Sequence, residues 1–134
     1  MRILLALLLL IPCLARADLA IEDAWIKNLP PVVPARAGYL TIKNTNDAAV
    51  SVVGLHGEAF ERIEMHRTVM KNGTMQMEPV AKLTVEPGQS LRFEPGGLHL
   101  MMYPREPTSP GDIYRVTVMF DDGETLGFDM VVKP

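Results

Sequence analysis

Apolar and polar residues alternate along most of this sequence, and turn signals interrupt the alternation at short intervals. The clearest case is near the C-terminus, where two alternating segments flank the turn Asp121-Asp122-Gly123. Alternation with a period of two places the side chains on two opposite faces of a strand, whereas an amphipathic helix needs a period of 3.6. No segment of useful length after residue 17 has the helical period. Roughly eight or nine short strands at regular spacing are typical of an antiparallel β-sandwich or barrel.

The N-terminus has the features of a secretory signal peptide. Arg2 is followed by an unbroken apolar run, and Ala15-Arg16-Ala17 matches an A-x-A cleavage site. The run is too short to span a membrane. A segment that resembles a lipobox precedes Cys13, but a proline occupies the position where that motif has a small residue. We therefore expect residues 1–17 to be a signal peptide and residues 18–134 to form one domain, located in the periplasm of a Gram-negative bacterium.

Cysteine content and charge exclude several classes of function. Cys13 is the single cysteine, so the domain after the leader has no disulfide, thiol nucleophile or zinc–thiolate site. It also cannot form a blue-copper site, because that site requires a cysteine thiolate. Without Arg2 and Arg16, the domain has eleven basic and sixteen acidic residues. The resulting net charge of −5 argues against nucleic acids and anionic membrane surfaces as partners.

One predicted strand combines an apolar face with two candidate metal ligands. In residues 98–103, Leu100 and Met102 share an apolar face, while His99 and Met101 lie on the opposite face. The Cα atoms of two residues at this spacing are about 7 Å apart on a strand, so both side chains can reach one shared ion. An imidazole nitrogen and a thioether sulfur suit Cu(I) better than any hard cation.

A second candidate pair lies on a predicted hairpin. In residues 60–70, His66 lies on the polar face, and Asn72-Gly73 shortly afterwards is a strong signal for a two-residue hairpin turn. This turn pairs Thr68 with Met77. His66 is then diagonal to Met77 on the same face, at roughly 7–8 Å. The sequence therefore predicts a second histidine–methionine pair, which we expect to lie beside the first.

Other interpretations of these side chains remain open at this point. His56 precedes a turn, which is typical of an ordinary exposed loop residue. The alternation of its own strand assigns Met77 to the core, whereas the hairpin register assigns it to the histidine face. Met70 and Met75 either surround the site or simply pack, since methionine commonly fills gaps in cores. Four other methionines are expected in the core: Met65, Met102, Met119 and Met130. Glu64 either orients an imidazole or is a solvated carboxylate.

The spacing of the four candidate ligands resembles the signature of the PCuAC family of periplasmic copper chaperones. Ten residues separate His66 from Met77, and twenty-one separate Met77 from His99-Leu100-Met101, which gives H-x10-M-x21-H-x-M. Further segments similar to the family pattern are Asp23-Ala24-Trp25, Ala37-Gly38-Tyr39-Leu40 and Pro95-Gly96-Gly97-Leu98-His99. The resemblance implies an all-β, cupredoxin-like antiparallel β-sandwich of Greek-key type. It also implies that His66, Met77, His99 and Met101 bind Cu(I).

The resemblance further implies a function in copper delivery. The expected destination is the CuA centre of cytochrome c oxidase, with the CuA-site subunit or a Sco-type thiol protein as acceptor. The protein is then a metal carrier and not an enzyme. Two alternatives are a periplasmic protein that scavenges or stores copper and a non-catalytic β-sandwich interaction module. A copper enzyme is disfavoured, because the domain has no cysteine and no obvious motif for a substrate cleft.

Overall fold

The computed structural model describes residues 19–134 and has ten β-strands in that range. The predicted signal peptide therefore lies outside the described residues. The strands are β1 (Leu19–Lys27), β2 (Arg36–Asn44), β3 (Val50–His56), β4 (Phe60–Lys71), β5 (Thr74–Pro79), β6 (Leu83–Val85), β7 (Ser90–Phe93), β8 (Leu98–Pro104), β9 (Ile113–Phe120) and β10 (Thr125–Lys133). Within residues 19–134, no helix has the length and apolar character needed to cross a membrane.

Seven of the strands form a closed ring. Their order is β4-β8-β2-β1-β10-β9-β3, and the pairing of Leu55 with Ile63 joins β3 back to β4. The remaining strands β5, β7 and β6 pair with β4, β2 and β3 respectively. The β4–β5 hairpin therefore extends the sheet on one side of the ring, with β5 as an edge strand.

The core fills the interior of the ring with alternate residues of the strands. On β8 the inward residues Leu100 and Met102 are fully buried, and Met65 of β4 is 5% exposed. Fully burying a side chain of this size contributes roughly 1.5–3 kcal/mol. The inward faces of β4 and β8 are therefore firmly anchored, and this fixes the position of the residues on their outward faces. The all-β fold predicted from the alternation is confirmed.

One strand pair differs from the fully antiparallel arrangement that we expected. β1 and β10 pair in parallel, with Trp25 opposite Val131. The other strand pairs of the described residues are antiparallel. Alternation reports which face a side chain occupies and carries no information on strand direction. The direction of this pair is set by the connectivity that brings the first and last strands together.

Candidate metal centre

His66 and His99 face each other across two neighbouring strands. They are directly opposite in the register of the antiparallel β4–β8 pair, and their ring centroids are 5.9 Å apart in an edge arrangement. His99 is 5% exposed, and the side chain of His66 is 15% exposed. Because the adjacent residues Met65 and Leu100 are turned into the core, both imidazoles lie on the outer face of the sheet.

Each imidazole uses one ring nitrogen in a hydrogen bond to the protein. Nε2 of His66 donates to Oε2 of Glu64 at 2.9 Å, and Nδ1 of His99 donates to the backbone oxygen of Gly97 at 3.0 Å. A carbonyl and an ionised carboxylate only accept hydrogen bonds, so these two nitrogens carry the protons. In the neutral form of each ring, the lone pair is then on the other nitrogen, Nδ1 in His66 and Nε2 in His99.

These two remaining nitrogens have no hydrogen-bond partner. Among the buried side-chain nitrogen and oxygen atoms of residues 19–134, the two without a partner are Nδ1 of His66 and Nε2 of His99. Leaving a buried polar atom unpaired costs roughly 1–3 kcal/mol. Two such atoms on adjacent strands, each of a type that can bind a metal through its lone pair, are candidates for a pair of metal ligands. Protein groups that hold the non-ligating nitrogen are a general feature of metal-binding histidines.

Glu64, the hydrogen-bond partner of His66, is itself held by an arginine. Nε of Arg62 donates to Oε1 of Glu64 at 2.8 Å, and the guanidinium carbon of Arg62 lies 3.6 Å from the ring centroid of Tyr103. The hydrogen bond from Arg62, followed by that from His66, lowers the pKa of Glu64 below its usual value. Glu64 is therefore anionic at neutral pH and fixes the tautomer of His66.

The two candidate methionine ligands lie on the same face as the histidines. Met101 is partly buried and pairs with Glu64 across β8 and β4, two residues from His99. Met77 pairs with Thr68 across β4 and β5, which makes it diagonal to His66. Adjacent strands are about 4.8 Å apart, so the three strands β5, β4 and β8 carry the four donors across a width of roughly 10 Å.

The predicted register of the β4–β5 hairpin is confirmed. Lys71 pairs with Thr74 and Met70 with Met75. The turn residues Asn72 and Gly73 have φ angles of 51° and 76°. Two consecutive positive φ values are the signature of the type I′ turn that an Asn-Gly pair favours. The register also resolves the ambiguity of Met77, whose side chain is on the histidine face and 60% exposed.

The sequence analysis named the four candidate ligands but not most of the groups that hold the two imidazoles in place. Glu64 was left open between an orienting group and a solvated carboxylate, and its spacing of two residues from both Arg62 and His66 was the available signal. The backbone oxygen of Gly97 left no signal, because every residue has a carbonyl group. His56 is exposed, as predicted, but it is the last residue of β3 and does not lie in a loop. Within residues 19–134, no group of three or more His, Cys, Asp or Glu side chains could hold a metal ion. The candidate centre has two histidines, and its other two candidate donors are methionine sulfur atoms.

Comparisons with protein families and curated proteins find related sequences over most of the chain. A family model described as "LpqE-like: Putative lipoprotein LpqE-like" matches residues 19–132. "Putative lipoprotein Lxx21020" of Leifsonia xyli subsp. xyli is 34% identical over 116 residues, which cover 84% of this chain and 68% of that protein. "Uncharacterized protein RP573" of Rickettsia prowazekii is 30% identical over 113 residues, or 81% of this chain and 62% of that protein. The chain thus spans about two thirds of the length of these relatives.

Solved structures with the same fold include PCuAC domains. The structure titled "Copper-bound PCuAC domain from PmoF2" has a TM-score of 0.70 and 16% sequence identity, and it covers 86% of this chain and 92% of that domain. "Solution structure of CuI-DR1885 from Deinococcus Radiodurans" has a TM-score of 0.67 and 26% identity, with 89% and 81% of the two chains covered. The predicted cupredoxin-like fold and the PCuAC resemblance are confirmed.

Proposed function

The chain belongs to the LpqE-like family and has the PCuAC-type fold, and from this premise we propose that it is a copper(I) chaperone that acts outside the cytoplasm. The titles of two structural neighbours name bound copper, in one case Cu(I). The family and one relative are described as lipoproteins, which supports a location outside the cytoplasm, in the periplasm for a Gram-negative cell. The observation that carries the proposal is the pair of buried, unpartnered imidazole nitrogens on β4 and β8.

The proposed ligands are Nδ1 of His66, Nε2 of His99 and the sulfur atoms of Met77 and Met101. Cu(I) has weak geometric demands, and soft thioether and imidazole donors suit it. Thioethers bind without losing a proton, so only the imidazoles have to be neutral. Glu64 and the Gly97 carbonyl orient the two rings for binding, because each accepts the proton on the opposite ring nitrogen and so directs the remaining nitrogen toward the ion.

The same ligand set is suited to release of the metal. Met77 is 60% exposed, so an incoming thiolate can approach the ion from that side and displace a neutral thioether. Without a cysteine in the domain, the site has no thiol that an oxidising compartment could convert to a disulfide. We propose the CuA-site subunit of cytochrome c oxidase or a Sco-type thiol protein as the acceptor.

Titration with Cu(I) against a competing chelator, under reducing and oxygen-free conditions, tests the binding site. We expect one tight equivalent in the unmodified protein. His66→Ala or His99→Ala should weaken binding by more than about 100-fold, because losing a ligand costs more than the 10–100-fold typical for losing one of its supporting partners. The matched control is His56→Ala, which removes an exposed histidine from the end of β3 and should leave the affinity unchanged.

A transfer experiment separates delivery from storage. The copper-loaded protein is mixed with an apo acceptor domain that binds copper through cysteine thiolates, and copper is followed in both proteins after rapid separation. Transfer within minutes supports a chaperone. Retention of copper by this protein would favour storage, and failure to bind one equivalent at all would contradict a copper function and leave an interaction module.

A further inference from the structure

Three methionines on the β4–β5 hairpin are exposed to solvent. Met70, Met75 and Met77 are 64%, 63% and 60% exposed. The other large hydrophobic side chains that are exposed within residues 19–134 are Val32, Val53, Ile113 and Met119. The hairpin therefore concentrates thioether groups at one surface, and these groups contribute little to the packing of the core.

The three sulfur-bearing side chains share one face of the hairpin. Met70 and Met75 are directly paired, and Met77 is two residues further along β5. Directly paired residues have Cβ atoms roughly 4.5–5.5 Å apart, and diagonal neighbours are roughly 7–8 Å apart. Because a methionine side chain has three rotatable bonds and a polarisable sulfur, three such groups at these spacings can converge on one soft ion.

The opposite face of the hairpin has a different chemistry. It has the ion pair between Lys71 and Glu78, together with Gln76 and Arg67. Solvent reaches both faces near the turn, yet the charged side chains of residues 67–78 lie on one face only. Arg62 and Glu64 share the methionine face, but further along β4. The restriction of thioethers to the other face, which continues toward His66, indicates a function for sulfur at that surface.

We propose that Met70, Met75 and Met77 form a second, weaker Cu(I) site that loads the proposed centre at His66 and His99. This inference rests on the proposed function and adds an entry route to it. Met77 is shared by both sites, so the ion can move inward while one Cu–S bond is kept. The bonds to Met70 and Met75 break as those to the two imidazoles and Met101 form. Copper stays in the +1 state throughout, and no proton or electron is transferred.

Loading kinetics test the route. The double variant Met70→Leu/Met75→Leu keeps the apolar surface and removes two sulfur atoms. With a coloured Cu(I)–bicinchoninate complex as donor, we expect loading to slow by about tenfold or more, while the equilibrium affinity of the tight site changes by less than about twofold. The matched control is Met119→Leu on β9, which replaces another exposed methionine and should load at the unmodified rate.

Silver titration monitored by NMR locates the second ion. Ag(I) is a redox-inert probe for soft Cu(I) sites. In the His66→Ala/His99→Ala variant, which lacks the tight site and leaves Met77 available to the second one, we expect Ag(I) to shift the ε-methyl resonances of Met70, Met75 and Met77, and Met119 should not shift. If the unmodified protein binds one equivalent of Cu(I) and the double Leu variant loads at the same rate, the entry site is wrong and the chaperone proposal stands. If the unmodified protein binds no Cu(I), both proposals fail.

Discussion

At the level of single side chains, the candidate centre depends on which nitrogen of each imidazole is free. The acceptors Glu64 and Gly97 hold Nε2 of His66 and Nδ1 of His99, which leaves Nδ1 and Nε2 respectively for a metal. The two histidines thus use different nitrogens although they face each other directly. Orientation by neighbouring acceptors removes most of the rotational freedom that each ring would otherwise lose when it binds an ion.

Removing the charge of Glu64 should weaken copper binding without removing a ligand. For Glu64→Gln we expect a loss of affinity of about tenfold, within the 10–100-fold range for partners of metal-binding histidines. The neutral amide can accept from His66 less strongly than a carboxylate, and it can also turn its NH₂ group toward the ring. Competitive Cu(I) titration measures the effect, with Glu61→Gln on the same strand as the exposed control. An unchanged affinity would show that Glu64 does not support His66 as a ligand and is only a charged surface residue.

The same variant has a defined pH signature in the metal-free protein. Arg62, and then His66, lower the pKa of Glu64 in the folded state below 4.5. A lowered pKa contributes stability that is fully present above the unfolded-state pKa and is lost as the pH falls through the folded-state pKa. The difference in Tm between the unmodified protein and Glu64→Gln should therefore be present at pH 7, shrink as the pH falls below 4.5, and vanish only below the lowered pKa of the folded-state carboxyl group. A difference that persists at lower pH would exclude the carboxylate charge as its source.

At the level of secondary-structure elements, the β4–β5 hairpin positions Met77. The hairpin depends on a turn with two positive φ angles, 51° at Asn72 and 76° at Gly73. A Cβ atom added at Gly73 would meet no atom within 4 Å, so a substitution there affects the backbone conformation and not the packing. A substitution at Gly73 can therefore change the geometry of the hairpin without changing the packing of the core.

Gly73→Ala should loosen the hairpin and lower copper affinity. An L-residue in the left-handed region costs roughly 1–2 kcal/mol, which is large for a hairpin at the edge of a sheet. We expect faster amide hydrogen exchange in β5 and a weaker Cu(I) affinity. Gly123→Ala is the matched control, because Gly123 has a φ of 85° and equally open surroundings in the β9–β10 turn. Equal effects of both variants on copper would show that the hairpin register does not control the site.

The sequence analysis expects four methionines in the core, and the expectation is wrong for one of them. Met65, Met102 and Met130 were expected in the core and are 5%, 0% and 0% exposed. Met119 was also expected there and is 36% exposed. Its neighbours Val118 and Phe120 occupy the inward positions of β9, so the strict alternation of that strand turns Met119 outward. Reading β9 from its valines alone would have given the correct face.

At the level of the whole molecule, the proposed ligands tie together three adjacent strands, β5, β4 and β8. A ligand that binds only the folded state stabilises it by RT ln(1 + [L]/Kd), or about 4 kcal/mol at a free concentration 1,000-fold above Kd. For a domain of this size, that corresponds to a rise in Tm on the order of 10 °C. At the same copper concentration, a site weakened by about 100-fold or more should reduce the rise to about a third or less in His99→Ala, whereas His56→Ala should retain it. Differential scanning calorimetry with and without Cu(I) measures it, and an equal rise in His99→Ala would place the metal elsewhere.

The resemblance to the PCuAC family supplied the set of four candidate ligands. The sequence alone determined the all-β class, the faces of most strands and the β4–β5 register. These features are local, since a period of two and an Asn-Gly turn act between residues that are close along the chain. The tertiary structure decided that His66 and His99 lie directly opposite each other, that Gly97 supplies an acceptor, and that β1 pairs in parallel with β10. Those features depend on how distant strands pack around a common core, and no short-range pattern encodes the order in which they meet.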